Sequence, residues 1–235
     1  ALSRTDAAAV AAHYGSISIV TFVAASSALA VQGLEAEGFM VAVAAAMEAP
    51  AIVMALLLAR PKAAADGPAP GIDRDLMREV ALNGSIVLLV GAFAIGWITG
   101  AEGMAEIEGF ITDPFKGVLC LFLLDMGLVA GRGLSRGAGK LALPVILFGL
   151  AMPLVGGAIA LVPALLIGLS VGGTALLVTL AASASYIAVP AAMRIALPEA
   201  DPSIYLTLSL GVTFPFNLVL GIPLYMAVAG LVSGG

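Results

Sequence analysis

Long apolar runs separated by short polar stretches dominate this chain. Seven runs have the length, about 20 residues, that a helix needs to cross the hydrocarbon core of a bilayer. They are Asp6–Val31, Phe39–Ala59, Asn83–Gly100, Pro114–Gly131, Leu141–Pro163, Gly173–Leu197 and Ser203–Val232. The pattern predicts an all-α, polytopic membrane protein with seven transmembrane helices.

Composition agrees with this class. Hydrophobic residues make up 61% of the chain and charged residues 11%, outside the range of soluble globular domains. Since no basic tract accompanies the net charge of -5, the expected surroundings are lipid and no nucleic-acid partner is predicted. The single Cys120 excludes a disulfide framework.

The longest polar interruption, Arg60–Glu79, contains charges, prolines and glycines and is typical of a linker. It divides the chain into residues 1–59 with two spans, the linker 60–79, and residues 80–235 with five spans. Alternating the seven spans places all of the ten basic residues except Lys116 on one side. By the positive-inside rule this side, with the linker, is cytoplasmic, which predicts a multi-pass protein of the inner (plasma) membrane.

Two segments of the chain resemble each other and predict an internal repeat. Thr5–Phe22 can be laid over Thr174–Ala191, so that Ser16 falls on Ser185. The first copy lies in span one and the second in span six, and this odd offset means that the copies are inverted. Inverted repeats with helices broken at the midplane are the architecture of secondary transporters. Five helices in the second repeat but two in the first lead us to expect about three helices upstream of Ala1, ten in all.

The second copy carries polar residues at membrane depth: Ser183 and Ser185 precede Pro190. Such residues are tolerated in a span only where protein or a water-filled cavity satisfies them. A helix break near 183–190 would present hydroxyls and free amides to one cavity, which suits a small anion. Alternatively, the serines bond back to their own helix or permit close helix packing.

Two carboxylates, Glu48 and Asp125, fall within predicted spans, where an ionisable group is a functional candidate because its burial is expensive. Either would serve sodium or proton coupling, while Asp125 is alternatively a paired or snorkelling residue near the cytoplasmic end. Asn217 either ligates an ion through its amide oxygen or ties two helices together. These are the predicted ion-coupling residues.

Three stretches resemble a known family. Ala181–Tyr225, the opening HYGSISIVTFVAA and the later MEAPA are similar to the sodium-dependent bicarbonate permease superfamily, known from cyanobacterial carbon-concentrating systems. The resemblance implies ten helices in two inverted five-helix repeats, a homotrimer, and uptake of bicarbonate driven by sodium. We predict no cofactor other than sodium as the coupling ion. It also implies a small cytoplasmic regulator of the nitrogen-regulatory type.

Members of this family bind the anion between the broken helices through small hydroxyl residues and backbone amides. Matched by position, the resemblance implies that the substrate-binding residues are Ser18, Thr21, Ser183 and Ser185. Tyr186 stands where the cyanobacterial members have an aspartate, and Ala184 stands at the middle of their serine triplet. These two departures bear on the anion and on the coupling ion.

Two other functions stay open at this stage. One is a proton-coupled or exchange transporter of another small solute that uses Glu48 and Asp125, and the other is a non-transporting membrane subunit that binds a cytoplasmic partner through residues 60–79. Enzyme chemistry is not predicted, because the sequence has no histidine pair for a metal, no nucleophile elbow and no phosphate-binding loop.

Overall fold

The computed structural model describes residues 2–48, 78, 82, 84–137, 143–190, 193 and 197–234, and the regular structure in these residues is helical. The predicted linker lies outside them except for Arg78, as do Pro50 and Arg194. The helices are α1 (Arg4–Gly15), α2 (Ile19–Val31), α3 (from residue 40 to at least 48), α4 (Gly84–Gly137), α5 (Leu143–Ile167), α6 (Val171–Ala182) and α7 (Pro202–Ser233).

Three helical stretches within the described residues are long and apolar enough to cross a membrane. They are Arg4–Val31, which contains α1 and α2, Leu143–Ile167 and Pro202–Ser233, and α6 is a shorter apolar helix. The predicted all-α membrane class is therefore confirmed, while the count of seven spans and the inverted repeat stay predictions. A buried apolar cluster joins α2, α3, α6 and the end of α7 and includes Phe22, Leu29, Met40, Leu176, Leu180 and Met226.

Helix α4 differs from the prediction of two spans joined by a polar loop. The chain is helical from Gly84 to Gly137 and departs from helical geometry at Gly100, with φ 60° and ψ -153°. The intervening AEGMAEIEGFITD contains three glutamates, two alanines and a methionine, which favour helix, so polarity alone does not end it. The positive φ explains the glycine at the kink, since other residues rarely adopt that conformation.

Helices α5 and α6 pack closely through small residues. The buried positions of α5 recur every three or four residues: Gly149, Pro153, Gly157, Ala160 and Ala164. Between apolar helices in lipid, packing and close backbone approach supply the attraction, because lipid tails are as apolar as the side chains. The contact reaches the last turn of α6, where Gly156 meets the carbonyl oxygen of Ala181.

Gly156→Ala should destabilise the protein by about 3 kcal/mol. The added Cβ would overlap the Ala181 carbonyl oxygen, a backbone atom that moves only if α6 shifts. Thermal unfolding in detergent measures the effect. Gly230→Ala on α7 is the matched control, because a Cβ there meets no atom within 4 Å and alanine favours helix. Equal unfolding midpoints for the two variants would contradict this account of the α5–α6 contact.

The segment between α2 and α3, residues 32–39, folds onto the N-terminus of α6. The backbone N–H of Ser170 donates to the Glu37 carboxylate (2.7 Å), and the Ser170 hydroxyl donates to the carbonyl oxygen of Glu35 (3.4 Å). The same hydroxyl caps α6 by accepting the N–H of Gly173 (3.0 Å). A carboxylate at this end of a helix interacts favourably with the helix dipole, so Glu37 fastens the loop to α6.

The attachment of this loop should depend on pH. Partial burial raises the pKa of Glu37, but hydrogen bonds from the backbone of Ser170, from its own backbone and from the Ser170 side chain outweigh burial and hold that pKa below its ordinary value of 4.5. A carboxyl with a lowered pKa stabilises the folded state above its unfolded-state pKa, and this contribution is lost as the pH falls through the folded-state pKa.

We therefore expect Glu37→Gln to lower the free energy of unfolding by up to about 1 kcal/mol at neutral pH, and the difference from wild type to vanish in acid below the lowered pKa. Thermal unfolding of both proteins across this range measures it. A difference that stays constant over the whole range would show that the charge of Glu37 does not fasten the loop.

Helix α7 changes its hydrogen-bond pattern twice, because Thr207–Thr213 and Asn217–Gly221 are π-helical. In a π-helix each N–H bonds to the carbonyl five residues earlier, as the N–H of Phe214 does to Ser209. Such segments are frequent at functional sites. Here each brings one buried polar side chain, Thr213 or Asn217, against a neighbouring helix.

Candidate functional site

The first predicted span is broken in the middle. Helix α1 ends at Gly15, Ser16 and Ser18 have extended backbone, and α2 begins at Ile19. Ser18 is the N-cap of α2, and its hydroxyl accepts the backbone N–H of Thr21 (3.1 Å). Serine favours this position because its oxygen satisfies a donor that has no partner within the helix. The break therefore leaves the N-terminus of α2 inside the span.

A second break lies where the sequence predicts one. Helix α6 ends at Ala182, the chain is extended at Ser183, and helix resumes at residues 188–190. The hydroxyl of Ser185 accepts the N–H of Val189 (3.3 Å) and so caps the second half-helix. Pro190 lies in the first turn of that half-helix, where its missing N–H removes no hydrogen bond.

The two breaks cross and are joined by hydrogen bonds. The backbone N–H of Ser18 donates to the hydroxyl oxygen of Ser183 (2.8 Å). The backbone N–H of Ser185 donates to the carbonyl oxygen of His13, in the last turn of α1 (2.8 Å). One backbone N–H in each break is thus satisfied by an oxygen from the other broken span. We call this arrangement the crossing, formed by residues 16–18 and 183–187.

The four predicted substrate-binding residues meet at the crossing but are bonded differently. The Ser18 oxygen accepts both the N–H and the hydroxyl of Thr21 (3.1 and 2.9 Å), so only its own proton is left to donate. The Ser183 hydroxyl donates to the carbonyl of Leu180 (2.8 Å) while its oxygen accepts from Ser18. The Ser185 oxygen accepts from Val189, and among the described residues nothing accepts the hydroxyl protons of Ser18 and Ser185, which are left for a ligand, whereas Thr21 and Ser183 support the crossing.

A cavity of about 80 Å³ lies at the crossing. It is lined by Ile17, Ser18, Ile19, Glu48, Ser185, Tyr186, Ile187 and Ala188. A single water needs at least about 15 Å³, so this cavity has room for several waters or one small ion. The N-termini of both half-helices form its wall, and the first amides of a helix have no acceptor within it. Two positive helix ends and two hydroxyl donors make an anion the favoured ligand.

The predicted ion-coupling residues are not brought together. Glu48, which is 7% exposed, lines the same cavity as Ser18 and Ser185. Asn217 donates to the carbonyl oxygen of Ala182 (2.8 Å) and accepts the hydroxyl of Tyr225 (2.9 Å), so it joins the π-helical part of α7 to the end of α6. Asp125 is exposed on α4. Glu48 is thus the carboxylate that the structure places at the cavity.

A series of hydrogen bonds that the sequence does not predict connects α1 to α7 and α5. The hydroxyl of Thr213 donates to the carbonyl oxygen of Gly149 on α5 (2.7 Å), so the hydroxyl of Tyr14 must be the donor in its 2.6 Å bond to Thr213. Tyr14 lies two residues before the break in the first span. No local signal predicts this chain of bonds, since its members come from three helices far apart in the sequence.

Comparison with protein families gives a match. A sequence model of the family described as the Na+-dependent bicarbonate transporter superfamily matches residues 1–230 of the 235. Among curated proteins nothing matches. The match spans both broken helices and Glu48, so the cavity belongs to the part of the chain that the family shares.

Proposed function

The chain belongs to the Na+-dependent bicarbonate transporter superfamily, and from this we propose that it is a secondary active transporter that takes up bicarbonate, or a similar small anion, with sodium as the coupling ion. The observation that carries the proposal is the cavity at the crossing, where the N-termini of two half-helices meet inside the span. A transporter for a small anion needs donors but no fixed positive charge that would hold the anion too tightly. Amides and hydroxyls supply them.

In this proposal the four hydroxyl residues divide the work. Ser18 and Ser185 donate to the anion, because both line the cavity and keep a hydroxyl proton. Thr21 orients Ser18 by occupying its lone pairs. Ser183 holds the two breaks in register through its bond from the N–H of Ser18. The amides at the two half-helix N-termini complete the anion's coordination.

Sodium coupling would operate through Glu48. A buried carboxylate beside an anion is unfavourable unless a cation balances the charge, so sodium and bicarbonate would bind together. Hard oxygen ligands suit a sodium ion, and the carboxylate supplies one. Asn217 would contribute to the coupling site indirectly. It holds the carbonyl of Ala182, the residue before Ser183, in place by a hydrogen bond. Asp125 is exposed on α4 and does not line the cavity, so its contribution to sodium coupling would be made outside the cavity.

Alternating access supplies the transport cycle. The crossing would carry the anion while the two inverted repeats move against each other, as in transporters whose site lies between broken helices. We propose further that the working unit is a homotrimer in the plasma membrane and that a cytoplasmic regulator of the nitrogen-regulatory type docks on the side of residues 60–79. The alternatives are a proton-coupled or exchange transporter that uses Glu48, and a non-transporting subunit.

Uptake of labelled bicarbonate into proteoliposomes that contain the complete protein tests the proposal, at fixed pH with and without an inward sodium gradient. Sodium-dependent accumulation is expected. Accumulation that follows a pH gradient and ignores sodium would favour proton coupling through Glu48. No bicarbonate flux from well-folded protein would mean that the fold serves a different solute or a partner.

A further inference from the structure

We infer that the hydroxyl of Tyr186 is a ligand of the transported anion and the third side-chain donor of the cavity. The inference rests on the proposed function and extends it to Tyr186, which stands where the cyanobacterial members of the family have an aspartate. Tyr186 lines the cavity beside Ser18 and Ser185.

The ring of Tyr186 is held in place by apolar neighbours. It packs in a buried cluster with Val20, Leu210 and Phe214. Its centroid lies 5.0 Å from that of Phe214, with the ring planes at 59°, an attractive geometry for two aromatic rings. The side chain is 6% exposed. Because the cluster fixes the ring, the position of the hydroxyl is fixed as well.

The hydroxyl of Tyr186 is buried and has no hydrogen-bond partner among the described residues. The hydroxyls of Ser18 and Thr21 lie close enough to act on it as weak hydrogen-bond partners, but neither meets the distance and angle of a full hydrogen bond. Buried hydroxyls are almost always bonded, because an unpaired one forfeits its bonds to water. The missing partner is therefore expected to arrive with a ligand.

The bonding of Ser18 shows what kind of partner is missing. Both lone pairs of the Ser18 oxygen are occupied by Thr21, so Ser18 cannot accept the proton of Tyr186. Ser18 and Tyr186, whose hydroxyls both have a proton to donate, line one cavity and lie close to each other. An acceptor placed between them, such as an oxygen of a small oxyanion, would receive both protons.

The chemistry of a phenol fits this role. An uncharged hydroxyl binds an anion without trapping it, and the half-helix amides at the same cavity add to the attraction. A carboxylate at position 186 would instead repel the anion unless a cation lay between them. Tyrosine at this position thus supplies a donor in place of a carboxylate and leaves Glu48 as the acidic group of the cavity.

Tyr186→Phe tests the inference, because it removes the oxygen and keeps the ring. We expect the Kd for bicarbonate, measured by titration calorimetry on the complete protein in detergent, and the KM of sodium-driven uptake to rise about tenfold or more. The unfolding midpoint without bicarbonate should stay the same or rise, since the substitution removes no hydrogen bond to a described residue. Tyr225→Phe is the matched control: it removes a hydroxyl bonded to Asn217 and should lower the midpoint.

The outcomes separate this inference from the proposed function. If wild-type protein binds and accumulates bicarbonate but Tyr186→Phe leaves Kd and KM unchanged, the inference alone is overturned. A lowered midpoint for Tyr186→Phe equal to that of Tyr225→Phe would also overturn it, by showing a structural hydroxyl. If wild-type protein binds bicarbonate without accumulating it, the transport proposal fails and the ratio of the two Kd values still decides the inference. If wild-type protein does not bind bicarbonate, both fail.

Discussion

Replacing Ser18 and Ser185 together with alanine should reduce sodium-driven bicarbonate uptake at low substrate concentration by at least about a hundredfold. Both residues line the cavity, and no group among the described residues accepts their hydroxyl protons. A hydrogen bond to a charged partner contributes about 1.5–3 kcal/mol, so each loss costs about tenfold or more. The effect is measured as uptake rate against bicarbonate concentration, and it should appear mainly in the KM.

The Ser18 substitution has a second effect, because the Ser18 oxygen also caps α2. Loss of this cap should lower the free energy of unfolding by about 1 kcal/mol. Ser185→Ala alone is the cleaner variant, since its bond to Val189 is long at 3.3 Å. The matched control is Ser26→Ala, which removes a hydroxyl on the same helix as Ser18 that bonds back to the Phe22 carbonyl. If Ser185→Ala transports as well as Ser26→Ala does, the assignment of the anion to this cavity is wrong.

Glu48→Gln should remove the sodium stimulation of uptake at the sodium concentrations that saturate the wild type. The substitution keeps the size of the side chain and removes the buried negative charge that would balance a sodium ion in the cavity. Removing one partner of a buried ion pair costs about 3–5 kcal/mol, so the sodium concentration needed for half-maximal uptake should rise more than about a hundredfold. Initial uptake rates over a range of sodium concentrations at fixed pH measure this.

A second carboxylate provides the control for this prediction. Glu37→Gln removes a charge outside the cavity and should leave the sodium dependence unchanged. Sodium stimulation that survives Glu48→Gln would rule out the proposed role of Glu48. Uptake that depends on pH in the wild type and loses this dependence in Glu48→Gln would instead assign Glu48 to proton coupling.

The position of a helix break could be predicted from the sequence. Two serines before a proline, in a run long enough to cross a bilayer, predict a break near residues 183–190, and the extended segment begins at Ser183. The reason is physical: polar side chains at membrane depth need partners, and a broken helix supplies them. The same reasoning placed Glu48 in a functional role, and the structure sets it at the cavity.

The sequence could not predict which serine hydroxyls bond to the protein and which remain available to a ligand. Whether Ser183 donates to a ligand or to the protein depends on Leu180 and Ser18, and Ser18 is 165 residues away in the chain. The helical course of residues 101–113 was also missed, because glutamates spaced along a helix and glutamates in a loop have the same composition. Pattern identifies the kind of site, and three-dimensional contacts decide which oxygens remain available.

The central claim is that the crossing holds the anion, and a structure of the complete protein determined in the presence of bicarbonate and sodium tests it most directly. We predict anion density in the cavity, within hydrogen-bonding distance of the hydroxyls of Ser18 and Ser185, and a cation next to Glu48. Anion density elsewhere in the protein, with only water between the two half-helix N-termini, would contradict the account.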